Sequence, residues 1–144
     1  MVKEFSVVSE LKTIREQKSR LSEREQELSS PVLYDISLIP TLYEWFKEML
    51  SEMDFPPIVD SPHQRKKFIF IVLFLYSPNA LAGGRVSKNI REELSNVVSC
   101  HPSYVSHNIE NVLFLFHQYK GFREDIEYLY TEIINRLKFK GLIN

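Results

Sequence analysis

Cysteine occurs once, at position 100, and glycine only four times. A single thiol closes no intramolecular disulfide and builds no multi-cysteine zinc site. The glycines Gly83, Gly84, Gly121 and Gly141 form neither a phosphate loop ending in Gly-Lys-Ser/Thr nor a spaced dinucleotide fingerprint, so no nucleotide cofactor is expected. Long apolar runs are also missing. The longest, "FIFIVLFLY" from Phe68 to Tyr76, has about half the length that a membrane-spanning helix needs. The opening "MVKEFSVVSELK" lacks the basic-then-apolar pattern of a secretory signal, and a cytoplasmic location is the expectation.

Catalytic and metal constellations are absent too. His63, His101, His107 and His117 are the only histidines, and no spacing among them and Cys100 completes a ligand set. Cys100 and His101 are adjacent at a helix start, where neighbouring side chains point in different directions. No serine stands in a nucleophile-elbow pattern. The chain reads as a non-enzyme with no metal, no cofactor, no membrane span and no small-molecule substrate.

What is present is apolar and aromatic enough to fold. Hydrophobic residues make up 44% and aromatics 12% of 144 residues, which is ample for a helical core. Net charge is -1, but it is unevenly spread. Residues 1–64 hold seven Lys/Arg against twelve Asp/Glu, and residues 65–144 hold eleven against seven. An acidic front and a mildly basic back are compatible with nucleic-acid binding by the second part.

The periodicity predicts an all-α protein. In "VVSELKTIREQKSRLSEREQEL", Val7, Ile14, Leu21 and Leu28 recur every seven residues and Leu11 adds to them, while Lys18 and Glu25 take the next two complementary positions. This is half of a coiled-coil stripe on a charged helix. It implies either self-association through Val7, Leu11, Ile14, Leu21 and Leu28, or a surface helix laying its stripe on the rest of the protein. "SSPVLYDISLIP" breaks that helix, and Thr41 with Glu44 reads as a capping box starting the next one. There, Leu42, Trp45, Phe46, Met49, Leu50 and Met53 share one face.

The proline-rich "DFPPIVDSP" reads as a linker, dividing the chain into an N-terminal helical region, residues 1–56, and a helical domain, residues 57–144. Ser61, Pro62 and Gln64 mark a helix start. The segment Phe68–Tyr76 that follows reads as a buried helix, with a strand as the alternative. "SPNALAGGRV" reads as a loop, after which Ser87 caps a helix carrying Ile90, Leu94, Val97 and Val98 on one face. A turn at "SCHP" leads to a second helix with Val105, Ile109, Val112, Leu113 and Phe116 inward. A C-terminal amphipathic helix follows, with Phe122, Ile126, Leu129, Tyr130, Ile133 and Leu137 at helical spacing.

The stretch "LSNVVSCHPSYVSHNIENVLF" resembles bacterial and phage helix-turn-helix regulators. Leu94 and Ser95 stand where those carry an apolar and a small residue, Val98 and Cys100 flank the turn, and "YVSHNI" is similar to a valine-serine-basic recognition opening. Two positions depart: Ser99 replaces the usual turn glycine, and Asn108 an apolar residue. The run from "FLYSPNALAGG" to "FREDIEYLY" is similar to small proteins of bacterial mobile elements or phages.

The resemblance implies a trihelical core begun by the helix from Pro62. It further implies duplex DNA as partner, with Ser103, Tyr104, Ser106, His107, Asn108 and Asn111 facing bases and Arg85, Lys88, Arg91, Lys120 and Arg123 facing phosphates. The competing expectation is a structural or interaction protein that self-assembles or binds a protein partner. The weak basic character, and Glu110 within the second helix, motivate it.

Overall fold

A computed structural model describes the whole chain except Met1, Asp54, Phe55, Val59 and Asp60; of Val2–Glu4 only the helical backbone is described. Among the described residues every regular element is helical, so the fold is all-α. The chain divides into two units, residues 1–30 and 31–144.

The first unit is one helix, α1 (Val2–Ser29). Every side chain from Phe5 to Leu28 is exposed. Its length and its charged, straight-chain composition favour helix, since residues such as Glu, Lys, Arg and Gln lose little freedom there. Arg24 pairs with Glu27 at 3.0 Å, one turn on.

The second unit is built from α2 (Ile39–Ser51), α3 (Pro62–Tyr76), α4 (Pro78–Leu81), α5 (Lys88–Val97), α6 (Pro102–Gln118) and α7 (Lys120–Phe139). A short 3-10 turn at Ile36–Leu38 precedes α2. Helix α2, grouped by the sequence reading with residues 1–56, packs on α5 and α7 inside this unit.

Helix α3 is the axis. Phe68 through Leu73, then Leu75 and Tyr76, are buried, because α2, α4, α5, α6 and α7 surround it. An element covered on most sides has no continuous polar stripe, which is why its sequence also reads as a strand. Ser61 decides for helix: its hydroxyl accepts from the Gln64 amide at 3.4 Å, with Pro62 in the first turn. The incoming segment crosses the far end of α3. There the Val32 and Leu33 amides donate to the Leu75 carbonyl, and the Tyr76 hydroxyl donates to the Asp35 carbonyl at 2.6 Å.

Two local expectations change. Helix α2 begins at Ile39 rather than at a Thr41 cap, because Pro40 takes the first turn and continues the preceding 3-10 turn. Within "SPNALAGGRV", Pro78 starts the short helix α4. Gly84 then lies so close to Asn79 that a Cβ would collide with it.

Candidate nucleic-acid interface

Most of the polar residues singled out by the sequence lie on helices α5 and α6, and the turn between them sets their geometry. The Ser87 hydroxyl starts α5 by accepting from the Ile90 amide. Ile90, Leu94 and Val98 are buried, and so is Ser95, whose hydroxyl donates to the Glu92 carbonyl at 2.8 Å. A small residue therefore stands at a position with no room for a large one.

The helix ends with Ser99 in the left-handed region, at φ 56°. The Cys100 amide donates to the Ser95 carbonyl at 2.9 Å, and the Ser99 amide to the Asn96 carbonyl at 3.4 Å. This pair of bonds is a Schellman motif, the usual glycine-bearing helix end, closed here by a serine. His101 then caps α6: its Nδ1 accepts from the Ser103 amide at 3.1 Å and lies 2.7 Å from the Ser103 hydroxyl. Pro102 occupies the first turn, where its missing amide leaves no bond unmade.

Val105 and Val112 are fully buried and anchor α6 from below. On the other side Ser106, His107, Glu110, Asn111 and Phe114 are exposed. Among the expected base-facing residues, Ser106, His107 and Asn111 thus lie open, and Ser103 is half-buried. Tyr104 and Asn108 turn partly inward. The Tyr104 ring packs against the core, and burial raises its hydroxyl above the usual tyrosine range, partly offset by the charge of Arg65. The Asn108 amide donates to the Tyr104 carbonyl at 2.8 Å, which occupies the group that would otherwise reach outward.

The expected phosphate-facing residues separate into distinct places. Arg91 on α5 meets His101, Ser103, Ser106 and His107 around a recess of about 340 Å³, and its Nε is buried without a hydrogen-bond partner. Arg85 is exposed in the segment before α5. Lys88 pairs with Glu92 at 3.8 Å, one turn on. Lys120 and Arg123 stand beyond the opposite end of α6, about 25 Å along its axis. There Lys120 pairs with Glu124, and Arg123 reaches the Phe116 carbonyl.

Arg65, on α3, belongs to the surroundings of the turn although sequence spacing did not single it out. Its charge acts on both Cys100 and Tyr104. Burial nevertheless pushes the Cys100 thiol up, away from the reactive thiolate form. Only the long-range packing of α3 against α5 and α6 brings Arg65 there, and no local pattern announces that.

A second surface lies between α3, α6 and α7. Phe70 stacks on Phe116 at 4.5 Å, and Phe74, 43% exposed, meets Tyr130 edge-on at 5.2 Å. With Ile71, Ile126 and Glu127 these rings line an apolar recess of about 210 Å³. Among the described residues no cluster of His, Cys, Asp and Glu could hold a metal ion, and no helix is long and apolar enough to cross a membrane. In comparisons with known proteins, no family model, no curated protein and no solved structure matches this chain.

Proposed function

We propose that the unit formed by residues 31–144 binds duplex DNA, with the first turns of α6 entering the major groove. The observation that carries this reading is the recess shared by Arg91, Ser103, Ser106 and His107, where a guanidinium from one helix stands beside the exposed polar face of the next. In a helix-turn-helix the second helix presents its N-terminal residues to base edges while neighbouring basic groups hold the phosphates. The Schellman turn at Ser99 and the buried Val105 support the same reading, since a tight turn followed by a second helix with a buried residue near its start is what such a unit needs.

In this arrangement His107 and Asn111 read bases, Asn being able to bond adenine through two atoms. Arg91, Lys88 and Arg85 meet phosphates. Tyr104 and Asn108, half-buried, position the helix instead. Titration of duplex DNA at several salt concentrations tests the proposal. Binding should weaken steeply as salt rises. His107→Ala or Asn111→Ala should alter sequence preference by about tenfold at one position, whereas Arg91→Ala or Lys88→Ala should weaken every probe alike. Folded protein that shows no salt-sensitive binding at low ionic strength would rule the proposal out.

The apolar recess around Phe70, Phe74, Phe116 and Tyr130 favours a second reading, in which the same unit binds a protein partner. Exposed Glu110 and Phe114 on α6 also suit that reading better than a DNA backbone does.

A further inference from the structure

The apolar recess between α3, α6 and α7 is built from aromatic rings and a single charge. Four of its lining side chains are Phe70, Phe74, Phe116 and Tyr130, and its one charged member is Glu127. Phe70 and Phe74 stand one turn apart on α3, and Glu127 and Tyr130 nearly one turn apart on α7, so each pair shares a face. The planes of Phe74 and Tyr130 cross at 89°, and Phe70 stacks on Phe116.

Rings carry negative charge on their faces, and cations are drawn to them. Elsewhere the chain places its own cations over rings: Lys47 over Tyr43, Lys67 over Phe122, and Arg136 and Lys140 over Trp45. Among the described residues no such cation lies over the rings of the recess, and Glu127 enters no ion pair. A neutral apolar occupant would use the rings but take water from the Glu127 carboxylate and give nothing back. A cation answers both features. An ammonium rich in N–H groups calls for several acceptors, which a lining of rings and isoleucines does not offer. Methyl groups on the nitrogen remove that demand and leave the charge.

We infer that the recess binds a methylated ammonium group, held over the rings and balanced by Glu127, with Phe74, 43% exposed, at its mouth. A dry cavity of about 150 Å³ takes up benzene. This recess holds about 210 Å³, which is room for a trimethylammonium group. Binding here is independent of DNA binding. Phe116 follows His107 by about two and a half turns of α6, so the two side chains leave the helix in opposite directions. The same chemistry has two sources, a methylated lysine of a protein partner or a free quaternary amine.

Nuclear magnetic resonance of the full chain, labelled at its isoleucine methyls, tests the inference. Choline should shift the methyls of Ile71 and Ile126, which line the recess, and the shifts should saturate. The neutral isostere, with carbon in place of nitrogen, should bind about tenfold more weakly at matched ionic strength. Glu127→Gln should cut that preference about threefold and Phe74→Leu about fivefold; both positions are exposed, so the fold tolerates the changes. A peptide bearing trimethyllysine separates the sources. Affinity about tenfold or more above that of choline assigns the group to a protein partner, and a smaller difference assigns it to a free amine. Equal affinity for choline and its isostere would overturn the inference. So would methyls that choline does not move, or a preference that both variants leave unchanged.

Discussion

An L-residue in the left-handed region is held there against a cost of about 1–2 kcal/mol, and Ser99 accepts that cost at φ 56° to end α5. Glycine removes the steric part but adds freedom to the unfolded chain, so Ser99→Gly should stabilise the unit by about 0.5–1 kcal/mol and raise the melting midpoint by a few degrees. Thermal unfolding followed by circular dichroism measures it, and a lower midpoint would mean that the serine side chain contributes something its backbone position does not reveal. The same scale shows what the chain alone makes legible. Helical spacing from Val105 predicts an outward Ser106, His107 and Asn111, and those side chains are exposed. Tyr104 and Asn108 flank the buried stripe, where a long ring can lean inward and a short amide can bond its own backbone, so periodicity does not decide their direction.

Elements announce their ends better than their neighbours. Prolines at positions 40, 62, 78 and 102 all fall in the first turn of a helix, and Ser61 and Ser87 cap as their spacing implies. The start of α2 escaped because Thr41 with Glu44 imitates a capping box one turn too late; Glu44 bonds Lys47 instead. The contact between α3 and α7 escaped for a different reason. Lys67 is buried at 3% exposure, yet in sequence it is the last of three basic residues before an apolar run. Its ammonium donates to Asp125 of α7 at 2.6 Å and lies over the Phe122 ring at 5.8 Å. A buried ammonium stripped of its partner is expensive, although the half-exposed Asp125 site lets water reach part of the way. Asp125→Ala should therefore destabilise the unit by about 2 kcal/mol. Adding Lys67→Met, which keeps the volume and removes the charge, should recover most of that loss. Denaturant titration of the two single variants and the double variant gives the comparison. A double variant less stable than Asp125→Ala alone would show that the unpaired Lys67 ammonium is not the source of the loss.

For the molecule as a whole, the all-α class was legible from periodicity, whereas the place where the chain divides was not. The proline-rich segment near residue 56 has the composition of a linker, but α2 before it sends Leu42, Trp45, Phe46, Met49 and Leu50 into the same core as α3. Composition reports local stiffness and polarity; it says nothing about which stripe meets which. The compact unit begins instead at Pro31, where the Val32 and Leu33 amides bond the end of α3. A chain starting at Pro31 keeps every residue of the buried core, since the core begins at Leu33. It should fold cooperatively, with a melting midpoint within about 3 °C of the full chain, because among the described residues the truncation removes no buried apolar side chain and so leaves the principal stabilising contribution intact. Circular dichroism should show the helical signal falling by the share of α1 while the unfolding transition stays sharp. Its DNA binding, if the proposed function holds, should keep its sequence preference unchanged, because α5 and α6 lie wholly within the retained residues. A broad, early transition would instead mean that α1 supports the core, and the two-unit division would have to be abandoned.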